Sequence, residues 1–227
     1  MIDIDSVMNA APVIPVLMVD DVAHARPLAE ALVAGGLPVL EVTLRTPHAL
    51  EVIAEMAKVP GAIVGAGTVI SAGDLAAALA AGAQFIVSPG ITAALGSAAR
   101  TSGVPFLPGV SSASDIIRAQ EMGFYRLKFF PAVAAGGLPM LRALAAPFAG
   151  VRFCPTGGIS LENAPEWLAE PAVACVGGSW IAKRGETDWT AIEARARSNR
   201  FRRALQSSCR QRTPPPVRPA IPAHFPG

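Results

Sequence analysis

"AIVGAGTVISAGDLAAALAAG", residues 62–82, changes its period in the middle. Residues 62–69 form a short apolar run of strand length, while residues 71–82 are an alanine/leucine segment with helical spacing that ends on Gly82. A strand, a brief turn and a helix closed by glycine is the half-unit of a parallel sheet.

The same unit recurs about every twenty residues on both sides. Upstream stand "VIPVLMV" (13–19) and "PVLEVTL" (38–44). Downstream stand "FIVSPG" (85–90), "PFLPGV" (105–110), "YRLKFFP" (125–131), "VRFCPTGG" (151–158) and "AVACVGGS" (172–179). Helix-like stretches such as "VAHARPLAEALVAGG" and "PHALEVIAEMAKV" separate them. With the run at 62–69 this makes eight strand-then-helix repeats, the number that closes a parallel barrel. An open doubly wound sheet is the alternative, but it does not require eight near-equal units, and no GxGxxG fingerprint follows the first run. The reading is α/β: a single-domain (β/α)8 TIM barrel over residues 1–206, with an N-terminal helix, followed by a disordered tail over 207–227.

The chain has 227 residues, 52% of them hydrophobic, enough for a large core. Its net charge of +2 hides an asymmetry: residues 194–227 carry eight arginines and no acid, leaving 11 basic against 17 acidic residues, or −6, in the first 193. The basic character therefore sits in the tail, so no nucleic acid and no membrane is expected to bind the folded body. Residues 207–227 hold six prolines without apolar periodicity and read as an inert extension, an interaction arm being the alternative. No run is long enough to span a bilayer, and "MIDIDSVMNA" has no basic segment leading into an apolar one, so no signal peptide is expected. Three scattered cysteines, including Cys154 and Cys175 in apolar runs, fit a reducing cytoplasm, and three histidines without ligand spacing argue against a metal.

Of the three lysines, Lys58 ends a helix-like segment and Lys183 lies in the polar "KRGETD". Lys128 alone sits inside a strand-like run. Burial disfavours an ammonium, and a neutral amine attacks ketones; the iminium formed is an electron sink for cleavage of a neighbouring C–C bond. The plain alternative is a strand-end lysine that snorkels to water or pairs with an acid.

Alternation along "VLEVTLR" puts Glu41, Thr43 and Arg45 on one face of the second strand. A carboxylate inside a barrel needs a partner or a purpose, and Glu41 suits proton transfer. Arg45, at the strand's end, suits a bidentate grip on a carboxylate. The competing reading is a structural Glu41–Lys128 ion pair with Arg45 solvated. Thr68 of "GAGTV" offers a hydroxyl beside glycines, and Pro89 of "VSPG" offers a rigid turn whose backbone can line a pocket.

The last two runs end in paired glycines, "CPTGGIS" and "CVGGSW". Gly157, Gly158, Gly177, Gly178 and Ser179 therefore expose backbone N–H groups toward one point, with a following helix N-terminus expected to add positive potential. Many (β/α)8 barrels hold phosphate at this place. Two tight strand exits are the plainer alternative.

Taken in order, "EVTLRT", "VGAGTV", "SPG", "PGVSS", "KFFPA", "CPTGGIS" and "GGSW" resemble the 2-keto-3-deoxy-6-phosphogluconate aldolase family, class I aldolases that also handle 4-hydroxy-2-oxoglutarate. The resemblance spans roughly residues 10–182. It implies Lys128 as the Schiff-base lysine and Glu41 as the general acid/base. It also implies Arg45 and Thr68 as contacts to the pyruvate-derived carboxylate, and Thr156 and the glycine turns as the place of the sugar chain and its phosphate; Pro89 and Phe130 are expected to contact substrate as well. It further implies a cytoplasmic homotrimer that needs no cofactor or metal, acts on a small phosphorylated keto acid and works in the Entner–Doudoroff route. Two rival classes remain: a phosphosugar isomerase or epimerase on the same barrel, and a non-catalytic barrel that binds a phosphorylated metabolite. Family members usually end in a helix after the last strand; here "DWTAIEARARSN" begins such a helix and "RFRRALQSSCRQR" then turns arginine-rich.

Overall fold

The computed structural model describes residues 2–198, so the segment expected to form the tail (207–227) lies outside the described residues. The first described helix, α1 (Ile4–Asn9), is capped by the Asp3 carboxylate, which accepts from the Ser6 amide at 2.7 Å.

The strands are β1 (Val13–Leu17), β2 (Val39–Thr43), β3 (Ile63–Gly67), β4 (Phe85–Val87), β5 (Phe106–Leu107), β6 (Gly109–Val110), β7 (Arg126–Phe129), β8 (Arg152–Pro155) and β9 (Val176–Gly178). Every pairing is parallel. One set runs β5-β4-β3-β2-β1-β9 and the other β6-β7-β8. Neighbours in space are thus neighbours in sequence, and β1 pairs with β9. A doubly wound sheet instead places its first strand in the middle. The result is an α/β fold with a strongly curled parallel sheet, barrel-like in form.

All eight expected runs are strands, with one difference. The fifth divides at Pro108 into β5, which pairs with β4, and β6, which pairs with β7. Proline has no N–H to give the ladder, but its carbonyl accepts from the Lys128 amide at 2.9 Å and keeps the chain attached. At the other seam, the parallel bridges Phe153↔Val173 and Thr156↔Gly177 join β8 to β9.

The crossover helices are α2 (Ala25–Ala34), α3 (Ala49–Met56), α4 (Ala72–Ala80), α5 (Ala93–Ser102), α6 (Ala113–Glu121), α7 (Gly137–Ala145) and α8 (Ala164–Leu168), and α9 (Trp189–Ser198) follows the last strand. Ser71 with Asp74, and Ser112 with Asp115, form reciprocal capping boxes at α4 and α6. The helix expected after the last strand is α9; it lies against α2, and a Cβ on Gly35 would come within 2.4 Å of the Ala196 Cβ.

Alternation along each strand sorts the core. Leu40 and Val42 of β2 point out into the main core, which also holds Leu28, Leu32, Val52 and Ile53. Val39 points in and joins a second cluster with Ile14, Phe85, Val87, Leu107, Cys154 and Cys175. Val7 and Met8 of α1 complete that cluster at the N-terminal end of the strands. Arg126 holds α1 there through Asp5 at 2.5 Å. Burying Met8 is worth roughly 1.5–3 kcal/mol, so α1 belongs to the core.

Candidate active site

A cavity of about 450 Å³ opens at the opposite, C-terminal end of the strands. All the residues singled out from the sequence line it.

Lys128 and Glu41 sit on its floor. They come from β7 and β2, which are not neighbours, so their contact spans the inside of the curled sheet. Lys128 Nζ lies 3.2 Å from Glu41 Oε1, with both residues buried. The ion pair that the sequence left as an alternative is therefore present. It makes poor sense as a stabilising device, because the desolvation of two charges offsets most of their attraction. The ring of Phe130 stands over the amine, its centroid 5.2 Å from Nζ. Room for the Glu41 carboxylate comes from β3, where Gly67 turns its missing side chain inward.

Below this pair lie Cys154 and Cys175, both free and buried. Hydrogen bonding with Cys154, then burial, then the neighbouring Glu41 carboxylate push the Cys175 thiol well above its ordinary range. It remains a neutral filler.

At the rim, Arg45 Nε donates to Thr43 Oγ1 at 3.3 Å, and Thr43 Oγ1 donates to the Leu17 carbonyl at 2.9 Å. Thr68 is the one non-glycine residue with positive φ among the described residues, at 62°. A β-branched residue held there is strained, which is common at ligand sites. Thr68 lines the cavity with Arg45.

The remaining wall is β1 and the last two strand ends. Val16 and Ile159 add apolar surface, and Pro89 lines the wall as a rigid turn. Gly157 and Gly158 have φ of 99° and 78°, which a side chain would resist. Gly177 yields its space to Thr156, whose Oγ1 would lie 2.3 Å from a Cβ at 177. Gly178 and Ser179 finish the rim.

One sequence expectation needs correction. No helix starts directly after either glycine pair: α8 begins at Ala164 and α9 at Trp189. These turns therefore owe nothing to a helix N-terminus directly after them. Asn163 braces the first turn instead, donating from Nδ2 to the Gly158 carbonyl at 3.0 Å and accepting from the Ser160 amide at 2.9 Å. Asn163, Thr43 and Val16 were not singled out from sequence; only Thr43 left a signal, its shared parity with Glu41.

Among the described residues, no group of three or more His, Cys, Asp and Glu is placed to hold a metal ion, and no helix is long and apolar enough to cross a membrane.

The family model "KDPG and KHG aldolase" matches residues 4–195. A 2-dehydro-3-deoxy-phosphogluconate aldolase of Zymomonas mobilis is 55% identical over 203 residues, covering 89% of this chain and 98% of that protein. The crystal structure of the 2-keto-3-deoxy-6-phosphogluconate aldolase of Zymomonas mobilis ZM4 with 3-phosphoglycerate superposes with a TM-score of 0.87 at 54% identity, covering 89% of this chain and 98% of that one. A KDPG aldolase of Legionella pneumophila, with pyruvate captured as a covalent carbinolamine intermediate, superposes with a TM-score of 0.84 at 46% identity, covering 87% and 98%. With a match across nearly every described residue and relatives of this identity over almost their full length, the chain belongs to the KDPG and KHG aldolase family.

Proposed function

We propose that this protein is a class I aldolase that cleaves 2-dehydro-3-deoxy-6-phosphogluconate to pyruvate and glyceraldehyde 3-phosphate, and that also accepts 4-hydroxy-2-oxoglutarate. The observation that carries the reading is the buried amine of Lys128, 3.2 Å from the Glu41 carboxylate, on the floor of a cavity rimmed by Arg45 and glycine turns.

The cycle follows from that contact. Proton transfer from Lys128 to Glu41 gives a neutral amine beside a carboxylic acid. The amine attacks the C2 ketone, and the carbinolamine loses water with the Glu41 proton, which leaves a protonated imine and a carboxylate. Glu41 then takes the proton of the C4 hydroxyl. The C3–C4 bond breaks, its electron pair enters the iminium, and the aldehyde departs from an enamine of pyruvate. Glu41 returns its proton to C3, and water releases pyruvate and restores the pair. One carboxylate serves every step because each leaves it in the state that the next requires.

The rim supplies orientation. Arg45 and Thr68 hold the carboxylate of the keto acid, and Phe130, Pro89 and Thr156 flank its chain. The N–H groups of Gly157, Gly158, Gly177, Gly178 and Ser179 receive the phosphate. Binding energy gathered there, far from the reacting bond, helps to align it.

On the same reading the two sheets form one closed eight-stranded (β/α)8 barrel within residues 1–206, supported by the continuous β5–β6 segment and the two bridges between β8 and β9. The family resemblance supports a cytoplasmic homotrimer in the Entner–Doudoroff route, with residues 207–227 as an appended tail. Borohydride reduction in the presence of pyruvate tests the chemistry: an adduct is expected on Lys128. A mass trapped elsewhere, or none, overturns the reading and favours an isomerase or a silent binding barrel.

A further inference from the structure

Arg45 is exposed and enters no ion pair among the described residues, yet a long side chain that must meet a carboxylate has to be held in one pose. Its one hydrogen bond among the described residues runs inward, from Nε to the hydroxyl of Thr43 at 3.3 Å. Thr43 is only 2% exposed and lines the same cavity. A hydroxyl carries one proton and two lone pairs. Thr43 commits the proton to the Leu17 carbonyl at 2.9 Å, so a lone pair is turned toward Arg45.

The backbone around Arg45 is held in the same way. The β1–β2 ladder registers Val16↔Glu41 and Leu17↔Val42. Beyond it, side chains continue the attachment, with Thr43 Oγ1 on the Leu17 carbonyl and Thr46 Oγ1 on the Val19 carbonyl at 3.0 Å. Arg45 lies between these two fastenings.

We infer that Thr43 is a positioning residue that fixes the Arg45 guanidinium for the substrate carboxylate. With Nε engaged, only the two terminal nitrogens are free, so the carboxylate is met end-on by that pair. The inference rests on the reading of Arg45 as the carboxylate contact, and its test separates the two.

The variants are T43V, T43S, R45A and the double variant T43V/R45A, read by borohydride trapping on Lys128 with pyruvate and with acetone, which has no carboxylate. T43V should raise the pyruvate concentration for half-maximal trapping about tenfold, while the rate with acetone stays within about twofold. T43S, which keeps the hydroxyl, should restore the wild-type value, and the double variant should be no worse than R45A. If T43V slows pyruvate and acetone alike, or T43S behaves as T43V does, or the two losses add, the residue is only structural and the inference fails. If R45A leaves pyruvate half-saturation unchanged, the carboxylate reading itself falls and takes the inference with it.

Discussion

Gly67 faces Glu41 so closely that a Cβ at position 67 would lie 2.2 Å from Glu41 Oε1 and 2.7 Å from its Cγ. The two residues are on adjacent strands, and Thr43, two positions past Glu41, is the registered partner of Gly67. Glu41 therefore reaches Lys128 only because its neighbour has no side chain.

G67A should force the carboxylate away from the amine. A displacement of about 1 Å at a reacting group costs on the order of a hundredfold in rate, and overpacking costs about 1–3 kcal/mol of stability. Steady-state cleavage should thus fall about a hundredfold in a protein that still melts cooperatively. Full activity would show that the position of Glu41 in the pair is not required.

E41Q keeps the shape but removes the proton carrier. Turnover should fall by about 10²–10⁴, and far more than trapping of pyruvate on Lys128, because imine formation can also draw protons from water. Equal loss of both would make Glu41 a structural partner of the lysine.

Cys175 should resist alkylation. Its thiol is held well above the ordinary range by Cys154, by burial and by nearby negative charge, so almost no thiolate exists at pH 8. Iodoacetamide at that pH, followed by peptide mass spectrometry, should leave the Cys175 peptide unmodified until denaturant is added. Rapid labelling of the native protein would contradict the sealed floor.

Glu186 ties the loop after β9 to α9. Arg195 bonds it in a forked arrangement, with Arg195 Nη1 at 3.0 Å from Glu186 Oε2. That bond, aided by the Lys183 amide and both positive charges, holds the Glu186 carboxyl below its ordinary 4.5. The folded value lies below the unfolded one, so the stabilisation is present above pH 4.5 and disappears as pH falls through the lowered value. E186Q should cost about 1 kcal/mol at pH 7 and progressively less as pH falls below 4.5, as measured by urea unfolding across that range.

The order of the elements was legible because the parallel runs are continuous apolar stretches divided by glycine-stopped helices. The floor of the site was legible for a related reason. A lone lysine within an apolar run, and a glutamate at the inward parity of its strand, are conspicuous where charge is costly. What stayed hidden depends on contacts distant in sequence. Gly67 reads as an ordinary strand glycine until Glu41 is seen beside it. Thr43 shows its parity but not Leu17, 26 residues away. The helix expected after Gly178 failed because glycine pairs signal exposed N–H groups whatever follows them, and here a loop runs on to Trp189. Pro108 shows that a proline can divide one expected strand between two sets of paired strands.

The inner cluster that Val7 and Met8 complete packs the space behind the site, so on the proposed closed-barrel reading the cavity opens at one end. On the proposed chemistry, the three-carbon keto fragment is tethered at the closed end and the phosphorylated aldehyde lies between it and solvent. Departure is then ordered by geometry alone: the aldehyde must leave before pyruvate can pass, and in the reverse direction pyruvate must enter first.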